Sequence, residues 1–239
     1  MPDFSQKTID NNIILFDASV FSDPSSRIFE AAYWQSQESL TGSSSGRGTT
    51  YFFKHESKEY VLRHYLRGGL VGKILDDQYF FTGVNKTRAW RELHLLVQMR
   101  KLALPVPRPV AAEISKGFAF YRADLIIERI KQASDVHQLL MQKPLEEQVW
   151  RSIGTCIAQF HQHQVFHHDL NIHNIMLDAR QQVWLIDFDK CEFKYGDSWK
   201  KANLLRLERS LEKELRINKH YHYQQNDLQN LLAGYHACS

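Results

Sequence analysis

The chain has 239 residues, of which 43% are hydrophobic and 24% are charged, and its formal net charge is +3. This composition is ordinary for a globular protein of one or two compact domains, and the small net charge predicts no nucleic-acid partner. No run approaches the about 20 apolar residues of a transmembrane helix, and the N-terminus lacks a signal-peptide pattern. We therefore expect a soluble or peripheral protein, with its three cysteines reduced and inert.

Residues 1–130 are predicted to form a β-rich domain with one long helix. As far as residue 84, short apolar runs alternate with Gly, Ser and charged clusters, which is typical of strands. The first clearly periodic helix begins near Thr87, and the prolines from Pro105 onward prevent it from continuing. Residues 119–130 are again predicted to be strands.

Residues 131–239 are predicted to form an α-rich domain. Apolar residues follow a helical spacing over positions 149–160, and Pro144 is expected in the first turn of that helix. Two short apolar strands are predicted around Ile175 and Val183. The two domains are expected to meet at a connector near residues 128–134.

The C-terminal tail is predicted to be helical from Trp199 onward. Four leucines at helical spacing should form one stripe that packs in the core: Leu204, Leu207, Leu211 and Leu215. The basic residues beside this stripe are either a solvated helix face or a surface that lies against membrane lipid.

The strongest chemical signal is the pattern H-x-D-L-x-x-x-N of a kinase catalytic loop, which residues 167–174 match. Asp169 is predicted to accept the proton of the attacking hydroxyl, and Asn174 to bind a metal ion on the nucleotide phosphates. An apolar strand then ends at Asp187, which is predicted to hold Mg²⁺. Asp189 occupies the third position of this motif, where protein kinases have glycine. These residues predict an ATP- and Mg²⁺-dependent kinase with an α+β, bilobal protein-kinase-like fold.

A glycine-rich segment lies upstream, where a kinase has its phosphate-binding loop. Backbone N–H groups near the glycines could approach the phosphates closely, and the predicted contacts are Gly46, Arg47, Gly48 and Thr49. The third glycine of the usual loop pattern is missing, so an ordinary surface turn is the alternative.

Arg63 ends a predicted strand where kinases carry a phosphate-pairing lysine. Glu92, in the first periodic helix, is its predicted ion-pair partner, and Lys73 is an alternative source of the positive charge. Residues Glu128 to Ile130 are the predicted hinge that receives adenine on its backbone. Without the motifs, each of these charges could be a solvated surface residue.

Histidines are concentrated in one stretch and raise the alternative of a zinc site: His161, His163, His167, His168 and His173. No cysteine joins them, and their spacing already fits the catalytic loop, so His167 is predicted instead to hold the loop backbone. Asp169 and Asp187 taken separately could be turn or cap residues, but their order and spacing with Asn174 favour the catalytic interpretation.

Longer strings are more specific than these motifs. They are G-R-G-T-T at 46–50, V-L-R-H-Y-L-R-G-G at 61–69, L-P-V-P-R-P at 104–109, D-L-N-I-H-N at 169–174 and I-D-F-D at 186–189. Over nearly the whole chain, this set resembles the bacterial 3-deoxy-D-manno-octulosonic acid (Kdo) kinases. The resemblance implies ATP-dependent phosphorylation of the 4-hydroxyl of Kdo on a Kdo–lipid A precursor, in lipopolysaccharide core synthesis. It also implies a peripheral protein at the cytoplasmic face of the inner membrane.

A glycolipid acceptor of this kind carries phosphates and carboxylates, which a basic run could bind through charge-assisted hydrogen bonds. The candidate acceptor contacts are His64, Arg67 and Lys73. The competing interpretations are a kinase with a small-molecule or protein acceptor, and a non-catalytic nucleotide-binding scaffold. Arg63 in place of lysine is the one feature that favours the scaffold. A monomer is expected.

Overall fold

The structure is a computed structural model that describes residues 4–45, 49–66 and 77–238. Five predicted contact residues lie outside the described residues: Gly46, Arg47, Gly48, Arg67 and Lys73. The described residues combine a large antiparallel sheet, two small sheets and six α-helices, which confirms the predicted α+β class.

The described strands and helices are, in chain order, β1 (Phe4–Ile9), β2 (Asn12–Asp17), α1 (Ala31–Ser36), β3 (Leu40–Ser45), β4 (Thr49–His55), β5 (Lys58–His64), β6 (Tyr79–Phe80), α2 (Arg88–Lys101), β7 (Pro109–Lys116), β8 (Phe120–Glu128), β9 (Ser134–Asp135), α3 (Val136–Gln142), α4 (Glu147–Gln162), β10 (Val165–Phe166), β11 (Ile175–Leu177), β12 (Val183–Leu185), β13 (Glu192–Phe193), α5 (Lys200–Ile217) and α6 (Gln225–His236). Short 3₁₀ turns lie at Ser26–Phe29, Val84–Lys86 and Ile172–Asn174.

Most predicted elements are confirmed, with small changes at their ends. The first periodic helix begins at Arg88, one residue after the predicted position, and the strands around Ile175 and Val183 are present. Helix α4 begins only at Glu147, with Glu146 as its N-cap. Pro144 therefore precedes the helix rather than lying in its first turn, and that prediction was wrong.

Contacts divide the chain into two compact units. The first comprises the described residues up to Val97 together with Arg108–Arg129, and the second comprises Gln98–Pro107 and the chain from Ile130 onward. The sequence predicts Gln98–Pro107 to be part of the first domain, but the segment belongs to the second unit. One of its contacts there is the hydrogen bond that the N–H of Leu185 donates to the carbonyl oxygen of Pro105 at 3.1 Å.

In the first unit, the described strands pair in the order β1-β2-β7-β8-β5-β4-β3, and β6 pairs on β8. Trp34 and Phe53 stack at a centroid distance of 3.9 Å in the core, where Phe53 is fully buried. Strand β5 lies between β8 and β4, so Arg63 is opposite Leu125 on one side and Thr50 on the other. The position of Arg63 is therefore fixed by two strand pairings near the middle of the sheet.

In the second unit, helices α4 and α6 pack backbone against backbone. A Cβ atom added to Gly154 would lie 1.9 Å from the carbonyl oxygen of Leu231, and one added to Gly234 would lie 2.1 Å from that of Arg151. These distances are far shorter than van der Waals contact. The close approach of the two helices therefore requires glycine at both positions.

Helix α5 differs in part from its predicted leucine stripe. Leu207 and Leu211 are buried as predicted, but Leu215 is 44% exposed. The buried face of α5 instead consists of Asn203, Leu207, Leu211 and Glu214. These residues are three or four positions apart and therefore lie on the same side of the helix. Among the helices in the described part of the chain, none combines the length and apolar character needed to cross a bilayer.

We predict that Gly154→Ala destabilises the protein by about 2 kcal/mol or more, because overpacking typically costs about 1–3 kcal/mol and the obstructing atoms belong to backbone. Thermal unfolding should show a melting temperature about 4–8 °C lower. Gly42→Ala is the control, because its nearest new contact, with the Phe52 ring at 3.7 Å, is ordinary. An unchanged melting temperature for Gly154→Ala would contradict the close packing.

Candidate active site

A short hairpin brings the two predicted metal ligands to one place in the second unit. Strands β11 and β12 are antiparallel, with Ile175 opposite Leu185, and the N–H of Ile186 donates to the carbonyl oxygen of Asn174 at 3.0 Å. Antiparallel pairing places the start of one strand beside the end of the other. Asn174, just before β11, and Asp187, just after β12, are therefore at the same end of the hairpin.

The catalytic loop is held by its own asparagines. The Nδ2 groups of Asn174 and Asn171 donate to the carbonyl oxygen of Asp169, at 2.9 and 3.1 Å. The Asn171 side chain also accepts from the N–H of His173 at 2.9 Å, which caps the 3₁₀ turn. Because the amide nitrogen of Asn174 is directed to the loop, its Oδ1 atom is the part of the amide suited to a cation.

His167 holds the backbone, as predicted. It is buried, and its Nε2 atom hydrogen-bonds to the carbonyl oxygen of Ile186 at 2.9 Å. Burial lowers the pKa of His167, so the ring is neutral near pH 7 and Nε2–H is the donor. The residue thereby joins the catalytic loop to the strand end that carries Asp187.

A second buried histidine ties three helices to this loop. His161 on α4 hydrogen-bonds through Nδ1 to the hydroxyl of Tyr235 at 2.8 Å and through Nε2 to Oδ1 of Asn203 at 3.1 Å. The other end of the Asn203 amide donates to the carbonyl oxygen of His167 at 2.7 Å. Burial lowers the pKa of His161 to about 4. Since both of its ring nitrogens are hydrogen-bonded, His161 is not available to the zinc site considered from the sequence.

The carboxylate of Asp169 is paired with Arg206 on α5. Both Nε and Nη2 of Arg206 approach Oδ1, at 3.0 and 2.5 Å. Partial burial raises the pKa of Asp169, but the hydrogen bond and charge of Arg206 outweigh it, and the pKa lies below its usual value. Asp169 is therefore ionised at neutral pH. The sequence-based interpretation missed this partner because Arg206 is one of several basic residues on α5.

Asp187 lies in an unusual backbone conformation. Its φ angle is +62°, in the left-handed region that few residues other than glycine adopt, although Asp tolerates it better than most. The following residue, Phe188, is buried and stacks on Phe160 at a centroid distance of 5.9 Å. Phe188 thus anchors the strand end while the Asp187 side chain is exposed. The Asp187 carboxylate and the Asn174 amide oxygen are hard oxygen donors, which fit Mg²⁺.

In the first unit, the predicted ion pair between Arg63 and Glu92 is formed, with Nη2 and Oε2 2.5 Å apart. Tyr65 supports the pair, since its hydroxyl donates to the same Glu92 oxygen at 2.6 Å and accepts from Arg63 at 3.3 Å. Glu92 is only 4% exposed. A buried carboxylate of this kind requires such partners, because an isolated buried charge is costly.

His64, a predicted acceptor contact, lies between two carboxylates. Its Nδ1 atom is 2.8 Å from Oδ1 of Asp124, and its Nε2 atom is 3.5 Å from Oδ2 of Asp77. The hydrogen bond to Asp124 raises the pKa of His64. Asp77 also binds Arg122 at 2.6 Å. The side chain of His64 is therefore held by acidic partners, and its role toward an acceptor stays a prediction.

The predicted hinge has two of its three N–H groups occupied. Glu128 donates to the carbonyl oxygen of Arg108 at 2.8 Å, and Arg129 donates to that of Glu59 at 2.9 Å. Within the described ranges, Ile130 donates no backbone hydrogen bond. Adenine binding by Glu128 and Ile130 stays a prediction.

Thr49 is the described member of the predicted phosphate loop. It is exposed and begins β4, opposite Ser45 at the end of β3. Gly46, Arg47 and Gly48, which lie between these paired residues in the sequence, are outside the described part of the chain.

The chain is similar to proteins of known name over most of its length. Residues 31–235 match the model of the lipopolysaccharide kinase (Kdo/WaaP) family. Three relatives are each named 3-deoxy-D-manno-octulosonic acid kinase. The protein from Vibrio parahaemolyticus serotype O3:K6 is 46% identical over 91% of both chains. That from Photobacterium profundum is 45% identical over 95% of both chains. That from Haemophilus influenzae (strain 86-028NP) is 43% identical over 95% of this chain and 97% of the relative.

These matches agree with the arrangement of Asp169, Asn174 and Asp187 around one loop. The family is one of kinases, which implies the use of ATP. On the extent of the family match and the identity to these relatives, the chain belongs to the lipopolysaccharide kinase (Kdo/WaaP) family.

Proposed function

We propose that this protein transfers a phosphoryl group from ATP, with Mg²⁺, to the 4-hydroxyl of Kdo on a Kdo–lipid A precursor, in lipopolysaccharide core synthesis. The observation that carries the proposal is the set of Asp169, Asn174 and Asp187, held around one loop. Relatives named for Kdo that cover nearly the whole chain support the choice of acceptor.

Asp169 would accept the proton of the Kdo hydroxyl as the oxygen attacks the phosphoryl group. Its ion pair with Arg206 holds the pKa of the carboxyl group below its usual value, so the group is unprotonated at neutral pH. Asn174 Oδ1 and the Asp187 carboxylate would hold Mg²⁺, which when bound neutralises charge on the phosphates. The protein then contributes chiefly by positioning groups and by fixed electrostatics.

The nucleotide contacts predicted from the sequence remain proposals. Arg63, oriented by Glu92, would pair with phosphate, and its side chain is still 22% exposed. The Glu128 carbonyl and the Ile130 N–H would receive adenine, and Thr49 would approach the phosphates. The remaining proposed phosphate contacts are Gly46, Arg47 and Gly48. The acceptor would be bound by His64, Arg67 and Lys73. Residues 1–130 and 131–239, with Gln98–Pro107 grouped with the second range, would act as the two kinase lobes.

We also propose a peripheral position at the cytoplasmic face of the inner membrane. Helix α5 exposes Leu205, Leu215 and Ile217, by 42%, 44% and 63%. Basic residues alternate with them, including Lys213 and Arg216, and such a surface favours anionic lipid.

The protein would act as a monomer. Its molar mass in solution, measured by light scattering after gel filtration, tests this proposal.

The proposed reaction predicts that labelled ATP and Mg²⁺ transfer label to a lipid A precursor bearing one Kdo. The Asp169→Asn variant should be slower by about 10²–10⁴-fold, because it lacks the base. Its ATP affinity should be retained, whereas Arg63→Met should bind ATP more weakly. NMR of the product would identify the phosphorylated hydroxyl.

Two outcomes of this assay would contradict the proposal. Intact ATP binding without label on the lipid would discard Kdo as the acceptor and require a panel of other acceptors. A wild-type rate for Asp169→Asn would discard Asp169 as the base.

Loss of Arg206 should change how activity depends on pH. Asp169 works ionised, so activity is lost as pH falls through its pKa. Arg206→Gln removes the group that lowers this pKa, and the acidic limb of the kcat/KM profile should move to higher pH. A shift of one pH unit corresponds to about 1.4 kcal/mol of lost interaction. Arg209→Gln, one turn away on α5, is the control and should leave the limb unmoved. An unmoved limb in Arg206→Gln would show that the ion pair does not set the pKa.

The membrane proposal predicts binding to vesicles that contain anionic lipid and weak binding to neutral ones. Exchanging Lys213 and Arg216 for Glu should weaken sedimentation with anionic vesicles at least about tenfold, since each basic residue near the surface contributes about 1 kcal/mol. The control exchanges Lys101 and Lys143, which are exposed elsewhere, for the same net change in charge. Equal weakening in both variants would assign the effect to net charge and not to α5.

A further inference from the structure

The catalytic-loop residue His173 belongs to a second cluster, with His137 on α3 and Glu214 on α5. One potential ligand atom of each residue lies within 4.8 Å of the other two. Nε2 of His173 is 3.1 Å from Oε1 of Glu214, and Nδ1 of His137 is 3.8 Å from Oε2. Ligand atoms around tetrahedral zinc, with bonds of about 2.0–2.1 Å, are about 3.3 Å apart. The two distances to the Glu214 carboxylate, one to each of its oxygens, lie on either side of that value.

Two polar atoms at this cluster are buried and unpartnered. Nδ1 of His137 has no hydrogen-bond partner among the described residues. Tyr221, whose ring centroid lies 5.4 Å from that of His137, has a buried hydroxyl that likewise lacks one. Buried polar atoms almost always have a partner, and a bound ion is one reason for an exception. An ordinary hydrogen-bond network would account for the pairing of His173 with Glu214, but it leaves Nδ1 of His137, 3.8 Å from Glu214, without a hydrogen bond to any described residue.

The carboxylate of Glu214 is held by a hydrogen bond from outside the cluster, as carboxylates that bind a metal ion usually are. Nδ2 of Asn218 donates to Oε2 of Glu214 at 3.1 Å, which fixes the orientation of the carboxylate from outside the cluster. The side chain of Glu214 is only 10% exposed, whereas that of His173 is 48% exposed. An ion could therefore enter from the His173 side, where water could complete the coordination.

We propose that His137, His173 and Glu214 bind a transition-metal cation, with Zn²⁺ as the best fit, and leave a fourth position for water. Two imidazoles and one carboxylate suit zinc and its neighbours better than Mg²⁺, which prefers oxygen donors alone. This site is separate from the Mg²⁺ ligands proposed at Asn174 and Asp187. Because His173 directly precedes Asn174, the bound ion would tie the catalytic loop to α3 and α5.

The test is the affinity of the full chain for Zn²⁺, measured by competition with a chromophoric chelator. Wild type should bind one ion at this site, and His137→Gln should bind it at least about tenfold more weakly, since loss of even a ligand's supporting partner can cost that much. His222→Gln, an exposed histidine outside the cluster, is the control and should match wild type. Equal Zn²⁺ affinity in His137→Gln and wild type would overturn the proposal.

Cobalt provides a second readout that does not depend on activity or on one variant. Co²⁺ bound to four ligands absorbs visible light strongly, whereas six-coordinate Co²⁺ absorbs weakly. Wild type and His222→Gln should show the strong absorption, and both His137→Gln and Glu214→Gln should lose it while keeping a wild-type circular dichroism spectrum. Only weak absorption in wild type, or strong absorption in a folded Glu214→Gln variant, would also overturn the assignment.

Discussion

The second unit depends on a buried series of hydrogen bonds that runs from Tyr235 through His161, Asn203 and His167 to the carbonyl oxygen of Ile186. The first three residues belong to α6, α4 and α5, and the last two belong to the loop and the strand end that carry the site. Burial lowers the pKa of both histidines, so the series is uncharged near neutral pH. Losing one of these buried hydrogen bonds would cost free energy of folding, because the interior has a low dielectric constant. The residues of the series must therefore keep one relative arrangement. The helices thereby determine the geometry of the catalytic loop.

Among the described residues, several of the charged groups assigned to chemistry are held by partners of opposite charge. Asp169 is paired with Arg206, and Glu92 with Arg63, each at 2.5 Å, while His64 lies against acidic residues. Half-buried charges without partners would be neutralised or solvated, and would lose the fixed orientation that electrostatic catalysis requires. In both units the charges are therefore already oriented by the protein itself.

The parts of the site that are local in sequence could be predicted, and those that depend on helix packing could not. Asp169, Asn174 and Asp187 follow a fixed spacing around one hairpin, so the motif alone brings them together. Arg206 reaches Asp169 only because α5 packs with that side toward the loop, and helical periodicity does not reveal which basic residue faces inward. For the same reason, the predicted leucine stripe included Leu215, which is exposed, and left out the neighbouring Glu214, which is buried.

The contact between α4 and α6 has a consequence for how this sequence can vary. Gly154 and Gly234 are distant in the chain, and neither belongs to the proposed chemistry, yet each faces the backbone of the opposite helix. A mutation that adds a side chain at one position is not relieved by any change at the other, because both are already the smallest residue. The packing of the two helices therefore excludes a larger residue at either position. Because Tyr235 is adjacent to Gly234, the same packing also sets the distance from Tyr235 to His161.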